Sequence, residues 1–141
     1  MNTILDDRSN LTKPLASYPH SRRIGSTVYL AGQGCRNPET NECVGIVRDD
    51  NGKVTDHCIT TQTKGVIANL ERALKSEGLD LTNLVDVTVF LRNMNEFNKM
   101  NEVWNATFTW KSPPTRTTVA VVDLPHDNFV EMKAIAFSPE K

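Results

Sequence analysis

The sequence contains no apolar stretch that approaches the roughly 20 residues needed to span a bilayer. Residues 1–7 lack the basic start and the long apolar segment of a secretory signal peptide. The three cysteines, Cys35, Cys43 and Cys58, form an odd number without C-x-x-C spacing, and we interpret them as reduced thiols. Together these absences predict a cytoplasmic protein that does not enter a membrane.

An excess of charge of one sign is also missing. The chain has 16 basic and 17 acidic residues and a formal net charge of −1. This balance gives no electrostatic reason to expect nucleic acid or an anionic membrane as the main partner. With 38% hydrophobic and 23% charged residues, the 141 residues are typical of one globular domain.

Two common kinds of site have no support in the sequence. The three histidines are dispersed, and the adjacent pair His57 and Cys58 has no second pair of ligands at a zinc-like spacing, so we predict no metal site. No nucleophile-elbow motif is present, which argues against a hydrolase triad. No feature of the sequence calls for a cofactor.

Hydrophobic periodicity predicts an α+β domain. The order ββ, α, β, α, ββ favours one mostly antiparallel sheet with two helices on one face. We predict a strand within 23–34, a hairpin around Asn51-Gly52, a helix over 59–77, a strand over 84–91, a helix from Asn95 to Phe108, and strands over 117–122 and 130–137. Residues 1–16 are predicted to be a flexible arm, followed by a single domain over 17–141. Apolar residues on both faces of the last strands predict that the uncovered face of the sheet is buried against another subunit.

Two charged residues stand among the apolar residues of the last two strands. Arg116 follows a Pro-Pro-Thr bend and Glu131 follows Val130, and we expect them at the start and end of a β-hairpin. A charge in such a place is costly unless it is paired or has a task. Arg116 is suited to bind a carboxylate, or it is a surface arginine or the partner of Glu131. Glu131 is suited to acid–base chemistry, because desolvation raises the pKa of a carboxyl group, or it is an edge-strand charge facing solvent.

The segment 114–132 resembles the RidA (YjgF/YER057c-like) family. The shared pattern is Pro-x-Arg, an apolar strand, Leu-Pro, four residues and Val-Glu-Met, which here comprises Pro114, Arg116, Leu124, Pro125, Val130, Glu131 and Met132. The resemblance extends to Ala31-Gly32-Gln33, to residues between 62 and 70 and between 89 and 101, and covers roughly 14–137.

This resemblance implies a chorismate-mutase-like fold, assembled as a homotrimer with three sites between subunits. Enzymes of the family hydrolyse enamines and imines to ketones and ammonia without a metal or an organic cofactor. The resemblance implies that Arg116 binds the substrate carboxylate, Glu131 holds or activates the attacking water, and the Thr118 backbone contacts the amino group or that water. Gly32 and Asn101 would line the site.

Three departures from the common family pattern bear on the substrate. His20 stands where many members carry a tyrosine, Ala31 replaces a serine, and Thr118 replaces a cysteine. The stretch Pro19-His20 with Arg36 downstream is similar to the 2-aminomuconate deaminase branch. His20 and Glu131 are then the available proton carriers.

A dicarboxylate such as 2-aminomuconate needs a second cation, and Arg22, Arg23 or Arg36 could supply it. The sequence therefore predicts a 2-aminomuconate deaminase that releases 4-oxalocrotonate (2-oxo-3-hexenedioate) and ammonia. A general 2-iminobutanoate/2-iminopropanoate deaminase is the alternative within the family. A non-catalytic trimeric protein that binds a small regulatory ligand is the alternative of another class.

Overall fold

The computed structural model describes residues 11–12 and 18–139. The predicted arm over 1–16 lies outside the described residues, apart from Leu11 and Thr12. The strands are β1 (Ser21–Ile24), β2 (Thr27–Gln33), β3 (Ile46–Arg48), β4 (Val54–His57), β5 (Leu84–Leu91), β6 (Thr115–Ala120) and β7 (Val130–Phe137). The helices are α1 (Ile59–Ser76) and α2 (Phe97–Thr107), and single 3-10 turns precede β5 and α2.

Five strands form the main sheet in the order β1-β2-β7-β5-β6, and β3 pairs with β4 in a separate ribbon. Every neighbouring pair in the main sheet is antiparallel except β5 and β6, which are parallel. Both helices supply buried residues to a single core on one face of the sheet. The predicted α+β architecture with a mostly antiparallel sheet is confirmed.

Helix α1 forms where apolar residues recur at three- and four-residue steps. Val66, Leu70 and Leu74 are fully buried against the sheet, and each buried side chain of this size contributes about 1.5–3 kcal/mol. The helix ends at Glu77, and Gly78 follows with φ +75°, a conformation that favours glycine.

Gly65 lies inside α1, where a glycine costs up to about 1 kcal/mol relative to alanine. A Cβ atom at this position would lie 2.9 Å from Cγ2 of Val44 and 3.3 Å from Cβ of Cys35. The missing side chain therefore lets the chain segment between β2 and β3 pack directly on the helix.

The predicted hairpin of the last two strands is wrong. Strand β5 lies between β6 and β7 and pairs with both. The connection after β6 passes the end of β5, where the Val121 N–H donates to the Leu91 carbonyl and the Arg92 N–H donates to the Phe129 carbonyl. Because β6 runs parallel to β5, the chain leaves β6 near the end of β5. It then crosses that end, reverses direction and continues as β7 on the other side of β5.

The first strands also differ from the prediction. The region 23–34 contains two strands, not one, because β1 and β2 are joined by a turn at Gly25, whose φ is +60°. With the β3–β4 ribbon, four strands therefore precede α1.

The face of the main sheet that points away from the helices carries exposed apolar side chains. Strand register places Tyr29 opposite Ile135 and Thr27 opposite Phe137, whereas the buried Leu30 lies opposite Ala134. On this open face Tyr29 and Phe137 are 44% and 49% exposed. This is the apolar second face that the sequence predicted.

Gln62 on α1 holds two loop segments through a fully buried amide that makes three hydrogen bonds. Its Nε2 donates to the carbonyls of Val44 at 3.1 Å and Asp127 at 2.9 Å, and its Oε1 accepts from the Phe129 N–H at 2.7 Å. We predict that Gln62→Met lowers the free energy of unfolding by about 2–4 kcal/mol, because buried backbone groups lose their partners. Chemical denaturation at fixed protein concentration measures the effect.

The control is Lys64→Met, an exposed position on the same helix, which we expect to change stability by no more than about 0.5 kcal/mol. Equal stability of the two variants would show that the Gln62 contacts do not hold the loops.

Candidate active site

A narrow cleft opens where β2 ends and β7 begins. Its volume is about 70 Å³, well below the roughly 300–1,000 Å³ of typical ligand sites. It is lined by Thr12, Tyr18, His20, Gly32, Gln33, Gly34, Arg36, Asn69, Pro125, Asn128 and Glu131. The cleft thus gathers four of the residues predicted from the sequence, His20, Gly32, Arg36 and Glu131, and is small for a complete site.

Glu131 is the first residue of β7 on the open face of the sheet and lies opposite Phe90 of β5. Its carboxylate accepts no hydrogen bond from any residue that the structure describes. Burial raises the pKa of Glu131, and the charge of Arg36 partly opposes that shift. A half-buried carboxylate without a donor is available to hold water or to exchange a proton.

The wall opposite Glu131 is formed by an irregular end of β2. The register with β7 shifts between Leu30 and Gln33, which marks a bulge. A Cβ on Gly32 would lie 3.5 Å from a Glu131 carboxylate oxygen, and a Cβ on Gly34 would lie 2.5 Å from Asn128 Oδ1. Glycine at 34 is therefore required by the close approach of Asn128, whereas Gly32 leaves space beside the carboxylate.

His20 is 7% exposed, and both of its ring nitrogens have partners. Gln33 Nε2 donates to the Ala31 carbonyl at 3.2 Å, which fixes the orientation of that amide. The same nitrogen lies 3.3 Å from His20 Nδ1, so Nδ1 accepts and Nε2 donates to the Thr12 carbonyl. In this arrangement His20 supports the cleft wall and keeps no ring nitrogen for substrate.

Arg36 is the cation nearest to Glu131 within the cleft. Its guanidinium donates to Asn41 Oδ1 at 2.5 Å, and its backbone carbonyl accepts from Asn69 of α1 at 2.8 Å. The helix therefore fixes the position of Arg36 in the cleft wall.

Arg116 lies elsewhere, on the helix face of β6, opposite the buried Val87. It donates to Asn101 Oδ1 on α2 at 2.7 Å, and its guanidinium carbon lies 4.9 Å and 5.4 Å from the ring centres of Trp104 and Phe97. Burial lowers the pKa of Arg116, and the group stays charged at neutral pH. Among the described residues it has no carboxylate partner.

Thr118 follows two residues later on the same strand. The Val121 N–H points to β5, and backbone groups alternate sides along a strand. The N–H and carbonyl of Thr118 therefore point away from β5, along the edge of the sheet, where none of the described strands pairs with β6. Its hydroxyl is buried and has no hydrogen-bond partner among the described residues.

Arg116 and Glu131 do not face each other within one chain. They lie on opposite faces of the sheet and are separated by β5, which puts their strands about 10 Å apart. Their register partners on β5, Val87 and Phe90, add a further displacement of about 10 Å along the strands. The ion pair between them, one of the structural alternatives, is not formed.

Two of the arginines considered for a second carboxylate lie outside the cleft. Arg23 forms a salt bridge with Glu77 at 3.5 Å and also donates to its carbonyl at 3.1 Å. Arg22 is exposed on β1 opposite Tyr29, on the open face of the sheet. Only Arg36 of the three lines the cleft.

Sequence reasoning missed the amides that hold the cleft walls. Asn69 donates to the carbonyls of Gly34 and Arg36, and Asn128 accepts from the Cys35 N–H at 2.8 Å and donates to the Pro125 carbonyl at 2.8 Å. Their partners lie 3 to 93 positions away in sequence. The signal that could have found them is the occurrence of an amide side chain at otherwise apolar positions.

The described residues contain no group of three or more His, Cys, Asp or Glu side chains that could hold a metal ion. None of the described helices has the length and apolarity that a membrane crossing requires.

The chain matches the family described as Endoribonuclease L-PSP over residues 9–138. It is 40% identical over 125 residues to a RutC family protein of Pyrococcus abyssi, covering 89% of each chain. It is 33% identical over 125 residues to a 2-iminobutanoate/2-iminopropanoate deaminase of Dermatophagoides farinae, covering 87% of each. The crystal structure of E. coli TdcF with bound serine superposes with a TM-score of 0.79 at 26% identity, covering 93% of this chain and 95% of that one.

We predict that Glu131→Gln stabilises the protein near pH 7 in the absence of substrate. A carboxyl group whose pKa is higher in the folded than in the unfolded state binds its proton more tightly when folded, so stability falls as pH rises through that range. The gain from Glu131→Gln should shrink as pH falls through the raised pKa of the folded state and should be absent below the ordinary carboxyl pKa of 4.5. Denaturant titrations across pH measure it.

Glu102→Gln, which removes an exposed carboxylate on α2, is the matched control and should show no such pH-dependent gain. A Glu131→Gln variant that is less stable than the wild type near pH 7 would contradict the assigned direction.

Proposed function

The chain belongs to the Endoribonuclease L-PSP family, and from this we propose that it is an imine/enamine deaminase acting on small 2-imino carboxylates. The proposal rests on the Glu131 carboxylate, which faces the cleft, has no hydrogen-bond donor among the described residues and has a raised pKa. The name of the mite relative and the serine in the E. coli structure support a small substrate that carries both a carboxylate and a nitrogen. These relatives favour 2-iminobutanoate or 2-iminopropanoate over the 2-aminomuconate predicted from the sequence.

We further propose that the complete site lies between subunits of a homotrimer. Arg116 and Glu131 cannot reach one small substrate within a chain, and the cleft around Glu131 is only about 70 Å³. Strand β6 is at the edge of the sheet and presents the free backbone groups of Thr118, which makes it suited to approach a neighbouring chain. The exposed apolar face with Tyr29 and Phe137 supplies the surface for association.

In this arrangement Arg116 of one subunit binds the substrate carboxylate, with Asn101, Trp104 and Phe97 fixing its guanidinium. Glu131 of the neighbour takes a proton from water as the oxygen attacks C2 of the protonated imine. The resulting tetrahedral intermediate carries a hydroxyl and an amino group on C2. Glu131 returns the proton to the amino nitrogen, the C–N bond breaks as the hydroxyl oxygen forms the C=O bond, and the hydroxyl proton leaves with the ammonia as ammonium, next to the 2-oxo acid.

The backbone of Thr118 completes this scheme at the sheet edge. Its free carbonyl can accept a hydrogen bond from the substrate nitrogen, and its free N–H can donate to the attacking water. These groups are fixed by the strand and need no reorganisation during the reaction. A raised pKa suits Glu131 to both of its steps, because the same group must accept and then release a proton near neutral pH.

A non-catalytic trimer that binds a small regulatory carboxylate is less well supported. A site that only binds an anion gains from Arg116 and loses from a nearby carboxylate, which repels the ligand. Glu131 has no hydrogen bond among the described residues that would give it a structural purpose instead.

2-Aminomuconate remains a second candidate because of Arg36. This arginine is the cation that lines the cleft beside Glu131, so it is placed to meet the distal carboxylate of a longer substrate. His20, the other residue that suggested this substrate, is placed to orient Gln33.

Subunit complementation tests the shared site. We expect Arg116→Ala and Glu131→Gln each to lose nearly all ammonia release from 2-iminobutanoate generated in situ. Co-refolding the two variants in equal amounts should restore about a quarter of the wild-type activity, because one in four interfaces of a random cyclic trimer then has both residues intact.

Arg116→Ala mixed with Arg116→Gln is the control and should stay inactive. If mixed trimers form but show no activity, the site does not combine Arg116 and Glu131 from different chains. If either single variant keeps full activity, the assigned role of that residue is wrong.

The second substrate is tested with Arg36→Ala. If Arg36 binds a distal carboxylate, this variant should raise KM for 2-aminomuconate by about tenfold or more, the loss expected for one charge-assisted contact, and should raise KM for 2-iminobutanoate much less. Arg23→Ala, which removes an arginine paired with Glu77, is the matched control. No activity on 2-aminomuconate in the wild type would remove this candidate.

A further inference from the structure

Two cysteines meet directly behind the cleft. Cys35 Sγ lies 3.1 Å and Cys43 Sγ 3.6 Å from the same oxygen, Asn128 Oδ1. The segments that carry them run side by side, since Arg36 pairs with Cys43 and the Val44 N–H donates to the Cys35 carbonyl. The backbone therefore holds the two segments side by side, and both sulfurs lie against one side-chain oxygen.

The two thiols differ in access. Cys35 is 1% exposed, whereas Cys43 is half-buried and faces a separate open depression lined in part by Glu42 and Arg48. An oxidant in solution can thus reach Cys43 without entering the cleft.

The two thiols also differ in acidity, and the more accessible thiol has the lower pKa. The neighbouring Cys35 thiol lowers the pKa of Cys43, while the neighbouring Cys43 thiol and burial raise the pKa of Cys35. Since the thiolate is the reactive form, Cys43 is the attacking sulfur and Cys35 is the second thiol that closes the bond.

We propose that Cys35 and Cys43 form a reversible dithiol–disulfide pair that is oxidised by hydrogen peroxide and modifies the cleft from behind. The Cys43 thiolate attacks one peroxide oxygen, the O–O bond breaks, and hydroxide leaves and takes up a proton. Cys35 then loses its proton and attacks the resulting sulfenic sulfur, the S–O bond breaks, and water leaves. Two thiols lose two hydrogen atoms, and one peroxide becomes two waters.

Formation of the disulfide affects the cleft through Asn128 and through the two residues next to Cys35. The disulfide removes both thiol hydrogen bonds to Asn128 Oδ1 and leaves only the Cys35 N–H contact. Gly34 and Arg36, on either side of Cys35, line the cleft, and Gly34 has no free space against Asn128. We expect oxidation to displace this wall and lower kcat/KM for the imine substrate several-fold.

The test is peptide mapping of the reduced, full-length protein after brief treatment with hydrogen peroxide and alkylation under denaturing conditions. We expect a cross-linked peptide containing Cys35 and Cys43, lighter by two hydrogen atoms, that dithiothreitol returns to two free thiols. Recovery of Cys35 and Cys43 as alkylated thiols, or of Cys43 only as a sulfinic acid, would overturn the proposal. This result does not depend on the proposed enzymatic function.

Two variants distinguish the role of the Cys35 and Cys43 pair from that of the third cysteine, Cys58. Cys58→Ser removes an exposed thiol at the start of α1 and should leave the cross-link and its yield unchanged. Cys43→Ser should abolish the cross-link and make imine turnover insensitive to peroxide. A cross-link that requires Cys58, or equal loss of turnover in Cys43→Ser after peroxide, would contradict the assignment.

Discussion

The position of β5 between β6 and β7 is the constraint on which the functional architecture depends. Because β5 is the central partner of both strands, it fills the core with Val87, Val89 and Leu91 and keeps Arg116 and Glu131 on separate strands and opposite faces. A chain with this sheet order cannot join its own guanidinium and carboxylate. The same order leaves β6 as an unpaired edge and leaves one face of the sheet apolar and exposed. Because β5 separates the two residues, the proposed chemistry requires a second copy of the chain.

Buried amides connect this sheet to the cleft. Gln62, Asn69 and Asn128 each bond to backbone groups of segments that are neither helix nor strand. The loss of one such bond destabilises the folded protein, because a buried polar group left without a partner costs about 1–3 kcal/mol. They let loops form a narrow wall beside Glu131 without an apolar core of their own. One of these amides, Asn128, also contacts the thiols of Cys35 and Cys43, and so connects the proposed disulfide pair to that wall.

The sequence predicted much of this molecule and failed in identifiable places. The period of Val66, Leu70 and Leu74 identified α1, and the family pattern identified Arg116 and Glu131 as the residues of interest. The hairpin was wrong because a nine-residue connection over 121–129 was read as a turn. The hydrogen bonds of His20 to Gln33 and Thr12 were not foreseen, because no local pattern reveals them; its role as a proton carrier stays a prediction.

The sequence by itself determined the helices, most strands and the fold class, because periodicity and turn residues act over a few positions. It also contained the family pattern around Arg116 and Glu131. Only the tertiary structure decided which strands are neighbours and which residues share a cleft. A period of two assigns a side chain to one face of a strand but contains no information on strand order. That order is set by packing between distant segments. It placed Glu131, Arg36 and His20 at one cleft and Arg116, Asn101 and Thr118 outside it.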